Sequence, residues 1–133
     1  MNLQGLHIVI IDDAPMTRTV VKQILFNLGT SNVYEAEDGM SGLQLVESCR
    51  PDIILCDLGM EPVNGFEFVK FLRGHKSETL RKTPVIILTS HGEREMVNDA
   101  AQLQIDGYLL KPIAPKLLDE RIQNVMQRLQ LAD

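Results

Sequence analysis

The chain reads as an α/β protein built on a doubly wound, five-stranded parallel sheet. Short, continuous, largely β-branched runs recur at Ile8–Val9–Ile10–Ile11, Ile53–Ile54–Leu55–Cys56 and Val85–Ile86–Ile87–Leu88, as expected of strands covered on both faces. Stretches with apolar residues at helical spacing lie between them. The two kinds alternate along the chain, and strands that alternate with helices pair in parallel.

The first strand, Ile8–Ile11, precedes a helix whose apolar face is read from Val20, Val21, Ile24, Leu25 and Leu28, with Gly29 as its stop. Asn32–Ala36 is a weaker strand candidate. Met40, Leu43 and Val46, with Leu45 alongside, predict a second helix that ends before Pro51. After the Ile53–Cys56 strand, Phe66, Val69 and Leu72 predict a third helix. The polar, locally basic stretch 73–83 is expected to be a solvated connection to the Val85–Leu88 strand. Met96, Ala100 and Leu103 predict a short fourth helix, and Tyr108–Leu110 a fifth strand. Leu118, Ile122, Val125 and Leu129 predict a fifth helix, begun near Pro115, where a first-turn proline is tolerated. Right-handed crossovers restrict five such βα units to a doubly wound sheet.

Length and composition set the frame for function. The 133 residues, 44% hydrophobic, suit one domain spanning 1–133, with a largely aliphatic core because tryptophan is absent. The chain stops directly after the fifth helix, so no output domain is expected. A net charge of −5 argues against a nucleic-acid surface, which needs a clustered basic face. Cys49 and Cys56 do not form a disulfide framework, and Cys56, next to Asp57 on a strand, is expected on the opposite face as a core residue. There is no leader-like opening and no apolar run of spanning length, so the expected compartment is the cytoplasm, away from any membrane.

Ligands of open α/β sheets sit at the carboxyl ends of the strands. There this sequence places Asp12–Asp13, Asp57, Thr89–Ser90 and Lys111–Pro112. Three carboxylates brought this close repel one another and raise their pKa values unless a cation neutralises them. Hard oxygen donors without His or Cys suit Mg²⁺, which often shares its shell with phosphate. An aspartate can attack a phosphoryl group and form an acyl phosphate. A metal together with the Lys111 ammonium can neutralise the transferring oxygens, and the Thr89 hydroxyl can donate to one of them.

Asp12–Asp13, Asp57, Thr89 and Lys111–Pro112, in order on five βα units, resemble the receiver domains of two-component response regulators, in the single-domain form of the chemotaxis regulators. The resemblance covers essentially the whole chain and implies the flavodoxin-like (βα)5 receiver fold. It implies Asp57 as phosphoacceptor, with Asp12 and Asp13 holding Mg²⁺ and the Gly59 carbonyl completing the protein ligands. Tyr108, three residues before Lys111, matches the family's switch aromatic, which moves inward as Thr89 is drawn to the phosphoryl group. The implied partners are a sensor histidine kinase or phosphotransfer protein and an unidentified output protein. The implied output face joins the fourth helix, fifth strand and fifth helix, through residues such as Glu93, Met96, Asp99, Tyr108 and Lys116. The only chemistry implied is self-phosphorylation from a phosphodonor and slow self-dephosphorylation, with Gly59 and His91 flanking the attacking water. The sequence departs from the family after Asp57, where Pro62 comes one residue late, and at Ser90, where a smaller residue is usual.

Plainer readings stand beside these. Asp12–Asp13 could cap the first helix ahead of Pro15, and Asp57 could be a turn residue. Lys111 could be a solvated surface lysine. Tyr108 could be a half-buried edge tyrosine, and His91 a solvated loop residue. His7 and His75 look like ordinary surface or strand-end residues. A dehalogenase-like phosphotransferase would carry a second Asp where Gly59 stands, and a nucleotide-binding module would need glycines after the first strand. The remaining rival is a pseudo-receiver adaptor that binds partners without phosphorylation.

Overall fold

A computed structural model describes residues 3–60, 63–90 and 104–132 of the chain. Strands β1 (His7–Ile11), β2 (Asn32–Ala36), β3 (Ile53–Asp57), β4 (Val85–Thr89) and β5 (Gly107–Leu110) form one parallel sheet in the order β2-β1-β3-β4-β5. The helices are α1 (Pro15–Asn27), α2 (Gly39–Cys49), α3 (Gly65–Arg73), the single turn α4 (Glu78–Arg81) and α5 (Pro115–Ala132). The doubly wound class and all five strands match the sequence reading. The helix read from Met96, Ala100 and Leu103 lies outside the described residues, as do Glu61, Pro62, His91, Glu93 and Asp99.

Alternation along the strands divides the core in two. Ile8, Ile10, Ile53, Leu55, Ile86 and Leu88 face α1 and α5, packing on Val21, Ile24, Leu25, Leu118, Ile122 and Val125. Val9, Ile11, Ile54, Cys56, Val85 and Ile87 face α2 and α3, packing on Val46, Phe68, Val69 and Leu72. With both faces covered, every residue of β3 and β4 is buried. The next positions able to carry exposed polar chemistry lie beyond the strand ends.

The helix faces needed correction at three places. Val20, Met40 and Leu129 are exposed, although the sequence pattern places all three on buried stripes. Adjacent helical positions point about 100° apart, so only Val21 of the Val20–Val21 pair reaches the sheet. In the first turn of α2 it is Gly42 that faces the sheet, and its missing side chain lets the helix approach β1 closely. A Cβ on Gly42 would stand 2.6 Å from Ile11 Cδ1. The 18 residues of α5 outrun the short strands, leaving Leu129 past the core.

The stretch 73–83 is more ordered than a solvated connection. Ser77 caps α4, accepting from the Leu80 amide, and Leu80 enters the core. Arg73 closes the segment. Its guanidinium donates to the carbonyls of Arg81 (3.0 Å), Thr83 (2.7 Å) and Gln104 (2.8 Å), and to Asp106 Oδ2 (3.3 Å). Asp106 Oδ2 also accepts from the Val85 amide. One planar cation thus ties the end of α3 to the starts of β4 and β5. His75 likewise has built contacts, with Glu47 Oε2 at 2.8 Å and the Ser77 amide donating to its Nδ1.

Arg73→Ala leaves partly buried carbonyls without their donor and is expected to lower unfolding free energy by about 2–3 kcal/mol in urea denaturation. Arg73→Lys should recover only part of that, because a single ammonium cannot span the same acceptors.

Candidate functional site

The carboxyl edge of the sheet gathers the charged residues. Asp12 follows β1 directly, and its amide donates to the Ala36 carbonyl, continuing the sheet by one residue. Its side chain is fully buried, with Oδ1 accepting from the Ala14 amide at 2.9 Å. The N-cap of α1 is Ala14, without a side-chain bond, and Pro15 opens the helix. Neither Asp12 nor Asp13 therefore serves as the cap, and Asp13 stays exposed. Arg18, one turn into α1, donates to the Asp12 carbonyl at 2.6 Å and to Glu35 at 3.2 Å.

Asp57 is the last residue of β3 and only 4% exposed. Oxygens of Asp12, Asp13 and Asp57 all lie within 4.8 Å of one another. Lys111 reaches them from the end of β5, its Nζ 2.9 Å from Asp12 Oδ2 and 3.0 Å from Asp57 Oδ1. The Lys111 amide donates to the Thr89 carbonyl at 2.8 Å, which aims the side chain inward, and the Lys111–Pro112 peptide is cis. The structure thus brings Asp12, Asp13, Asp57 and Lys111 together.

Thr89 ends β4 on the neighbouring strand. It is buried, and its hydroxyl donates to the Ser90 carbonyl at 3.2 Å. Tyr108 is not part of the cluster. It pairs in register with Ile87, two residues before the end of β4, and turns outward at 51% exposure. Gly59 lies in the loop after β3.

Burial, then the Asp12 charge, push the Asp57 carboxyl above its ordinary range, and Lys111 and the Gly59 amide offset this only in part. Burial alone would lower Lys111, but hydrogen bonds and charge from Asp12 and Asp57 outweigh it and hold the ammonium above the usual lysine range. Cys56 is buried against the opposite sheet face, where burial pushes its thiol well up, so it is a core residue as expected.

The loop beyond Asp57 is held at several points, of which the sequence points to Gly65, a glycine where the resemblance expects one. Leu58 and Met60 are buried in the core. The Gly65 amide donates to the Leu58 carbonyl, and a Cβ on Gly65 would run into the Asp57 carbonyl. Asn64 and Glu67 form a reciprocal capping box at the start of α3. An N-x-x-E spacing ahead of an apolar run is its signature in sequence. The Arg18 contact had no such signal, because it depends on α1 lying across the end of β1.

The donor set suits a hard divalent cation. Asp12 Oδ2 is buried, and its partner among the described residues is the Lys111 ammonium at 2.9 Å. Two further carboxylates stand within reach, and the clustered ligand atoms are all oxygen.

A carboxyl with a raised pKa binds its proton more tightly in the folded than in the unfolded state. Asp57 therefore lowers stability at pH values above its folded titration, and the loss is relieved as pH falls through it. Without metal, Asp57→Asn should raise unfolding free energy at neutral pH by on the order of 1 kcal/mol and flatten that part of the pH profile. Asp13→Asn, on an exposed group, should do less. Urea unfolding in a chelator across the acid-to-neutral range measures both, and an unchanged or lower Asp57→Asn stability would contradict the electrostatics described.

Comparison with known proteins matches residues 8–123 to the response regulator receiver domain. The chain is similar to chemotaxis protein CheY-3 of Vibrio cholerae, 32% identical over 126 residues, covering 95% of each protein. It is 31% identical to chemotaxis protein CheY of Pseudomonas aeruginosa, covering 92% of this chain and 98% of that one. Among solved structures, it resembles the receiver domain of AraT, a response regulator from Geobacillus stearothermophilus, with a TM-score of 0.84 and 30% identity over 97% of this chain and 98% of that one. A receiver domain from Clostridium thermocellum superposes with a TM-score of 0.86 at 25% identity, covering 96% and 99% of the two chains. A parallel β2-β1-β3-β4-β5 sheet with buried carboxylates at its carboxyl edge, matched over most of its length, places this chain in the response regulator receiver domain family.

Proposed function

We propose that residues 1–133 act as one receiver that accepts a phosphoryl group on Asp57 and transmits the event to the β5–α5 side of the molecule. Receiver domains of this type are phosphoacceptors that take phosphoryl groups from histidine kinases, bind Mg²⁺ at an acidic pocket and act on output partners. The observation that carries the assignment to this residue is the buried Asp57 carboxylate with the Lys111 ammonium 3.0 Å from Oδ1.

Asp57 supplies the nucleophile. A carboxylate oxygen bonds to phosphorus as the phosphorus–nitrogen bond of a phosphohistidine donor breaks, and the imidazole leaves with the electron pair and takes up a proton. Lys111, already on Asp57, stabilises negative charge on the incoming oxygens. Asp12, Asp13 and Asp57, with the Gly59 carbonyl, are the groups that would hold Mg²⁺, which when bound neutralises the phosphoryl oxygens. The phosphodonor is a sensor histidine kinase or phosphotransfer protein.

Thr89 carries the signal outward. Its hydroxyl exchanges the Ser90 carbonyl for a phosphoryl oxygen, and the shift at the end of β4 gives Tyr108 room to turn inward. This is a population shift between two packings of one fold. The surface it alters includes Tyr108, Leu110, Lys116 and Leu117, all exposed at β5 and the start of α5.

Incubation with Mg²⁺ and acetyl phosphate should add one phosphoryl group, labile to alkali and hydroxylamine, and none to Asp57→Asn. Phosphate mapped to a serine, threonine or histidine, or no gain at all, would overturn the assignment, and the second result would leave a phosphorylation-independent adaptor. Lys111→Ala should still fold, yet phosphodonor should no longer shift the Tyr108 and Leu110 amide resonances. Wild-type-sized shifts in that variant would remove Lys111 from the relay.

A further inference from the structure

We propose that Gly39, the first residue of α2, is a positioning residue for the site: it fixes the loop after Asp57 through Val63. This rests on the reading of Asp57 and Gly59 as site residues. The Gly39 amide donates to the Val63 carbonyl at 3.1 Å. The two backbones lie so close that a Cβ on Gly39 would stand 2.6 Å from that carbonyl oxygen, 2.5 Å from Val63 Cγ1 and 2.8 Å from Val63 Cβ. A side chain could turn away from an added methyl, but the carbonyl oxygen belongs to the loop backbone. Any residue larger than glycine must therefore displace either α2 or the loop.

The helix is the stiffer partner. Asp38 caps it, accepting from the Ser41 amide at 2.8 Å and the Ser41 hydroxyl at 3.0 Å. Gly42 lies against Ile11, and Val46 is fully buried in the core. The loop has a fixed beginning in Leu58 and Met60 and a fixed end at Gly65, where α3 starts. Val63 lies between these anchors and is only half-buried. Gly39 thus holds the described end of the loop at Val63, two residues before Gly65. The Gly65 amide donates to the Leu58 carbonyl and its backbone lies against the Asp57 carbonyl, so a displaced Val63 bears on the Asp57–Leu58 backbone.

Gly42 provides the control. It sits on the same helix with an equally tight approach, but to a side chain of β1 rather than to the loop. Gly39→Ala and Gly42→Ala should both lower the urea midpoint. Only Gly39→Ala should shift the metal-free amide resonances of Asp57 to Met60, and it should weaken Mg²⁺ binding, titrated by those same resonances, by roughly tenfold. Asp38→Ala unties the start of α2 without adding an atom, so it should shift the same resonances by a smaller amount in a folded protein. Shifts at Asp57 to Met60 that are equal in Gly39→Ala and Gly42→Ala, or wild-type Mg²⁺ affinity in Gly39→Ala, would overturn the proposal. A wild-type protein that ignores Mg²⁺ would count against the site reading instead, while the metal-free shifts would still decide whether Gly39 positions the loop.

Discussion

Lys111 is bound at once to Asp12 and Asp57, so one ammonium from β5 bridges the carboxylates that end β1 and β3. The order of the sheet makes this a long reach, because β4 lies between β3 and β5. It succeeds because the Lys111 backbone is itself bonded to Thr89 at the end of β4. A buried carboxylate pair without that cation would be costly to hold, and a buried lysine without the pair would tend to lose its proton. Each charge is stable only because the strands deliver the others.

Negative charge is concentrated at this edge of the sheet. Three carboxylates and one ammonium leave a local excess of negative charge, and the raised pKa of Asp57 reflects burial first and the Asp12 charge second. Burial intensifies that field by keeping water away from Asp12 and Asp57. A cation bound among these oxygens would reduce that repulsion. The site is therefore poised to respond to binding, in the way active sites combine burial with like charge.

Rigid packing surrounds this edge and leaves one side open. Glycines at 39 and 65 bring backbone against backbone around the Asp57 loop, Gly42 seats α2 on Ile11 of β1, and Arg73 clamps the far ends of β4 and β5. Tyr108 and Leu110, by contrast, project from an edge strand into solvent. Between them and the carboxylates stands Thr89, buried and bonded to the next carbonyl in the chain. Thr89 thus sits between a rigidly packed edge and the exposed side chains of β5.

Much of this was legible in the residues alone. Continuous β-branched runs betray strands buried on both faces, since no polar position can be tolerated in them, and the carboxylates, hydroxyl and lysine at their ends stand out by contrast. Helix faces were less legible where neighbours such as Val20 and Val21 are both apolar, because composition does not say which one the sheet will meet. Arg73, Arg18 and Gly39 were invisible as functional supports, for their partners lie far along the chain or are backbone atoms with no identity in sequence. The sequence by itself determined the order of strands and helices and the chemistry available at the carboxyl edge, because periodicity and residue type are local properties. Tertiary structure alone decided that Lys111 lies on Asp12 and Asp57, that Tyr108 faces outward and that the loop is gripped at Val63, because those depend on distances between strands that are far apart in the chain.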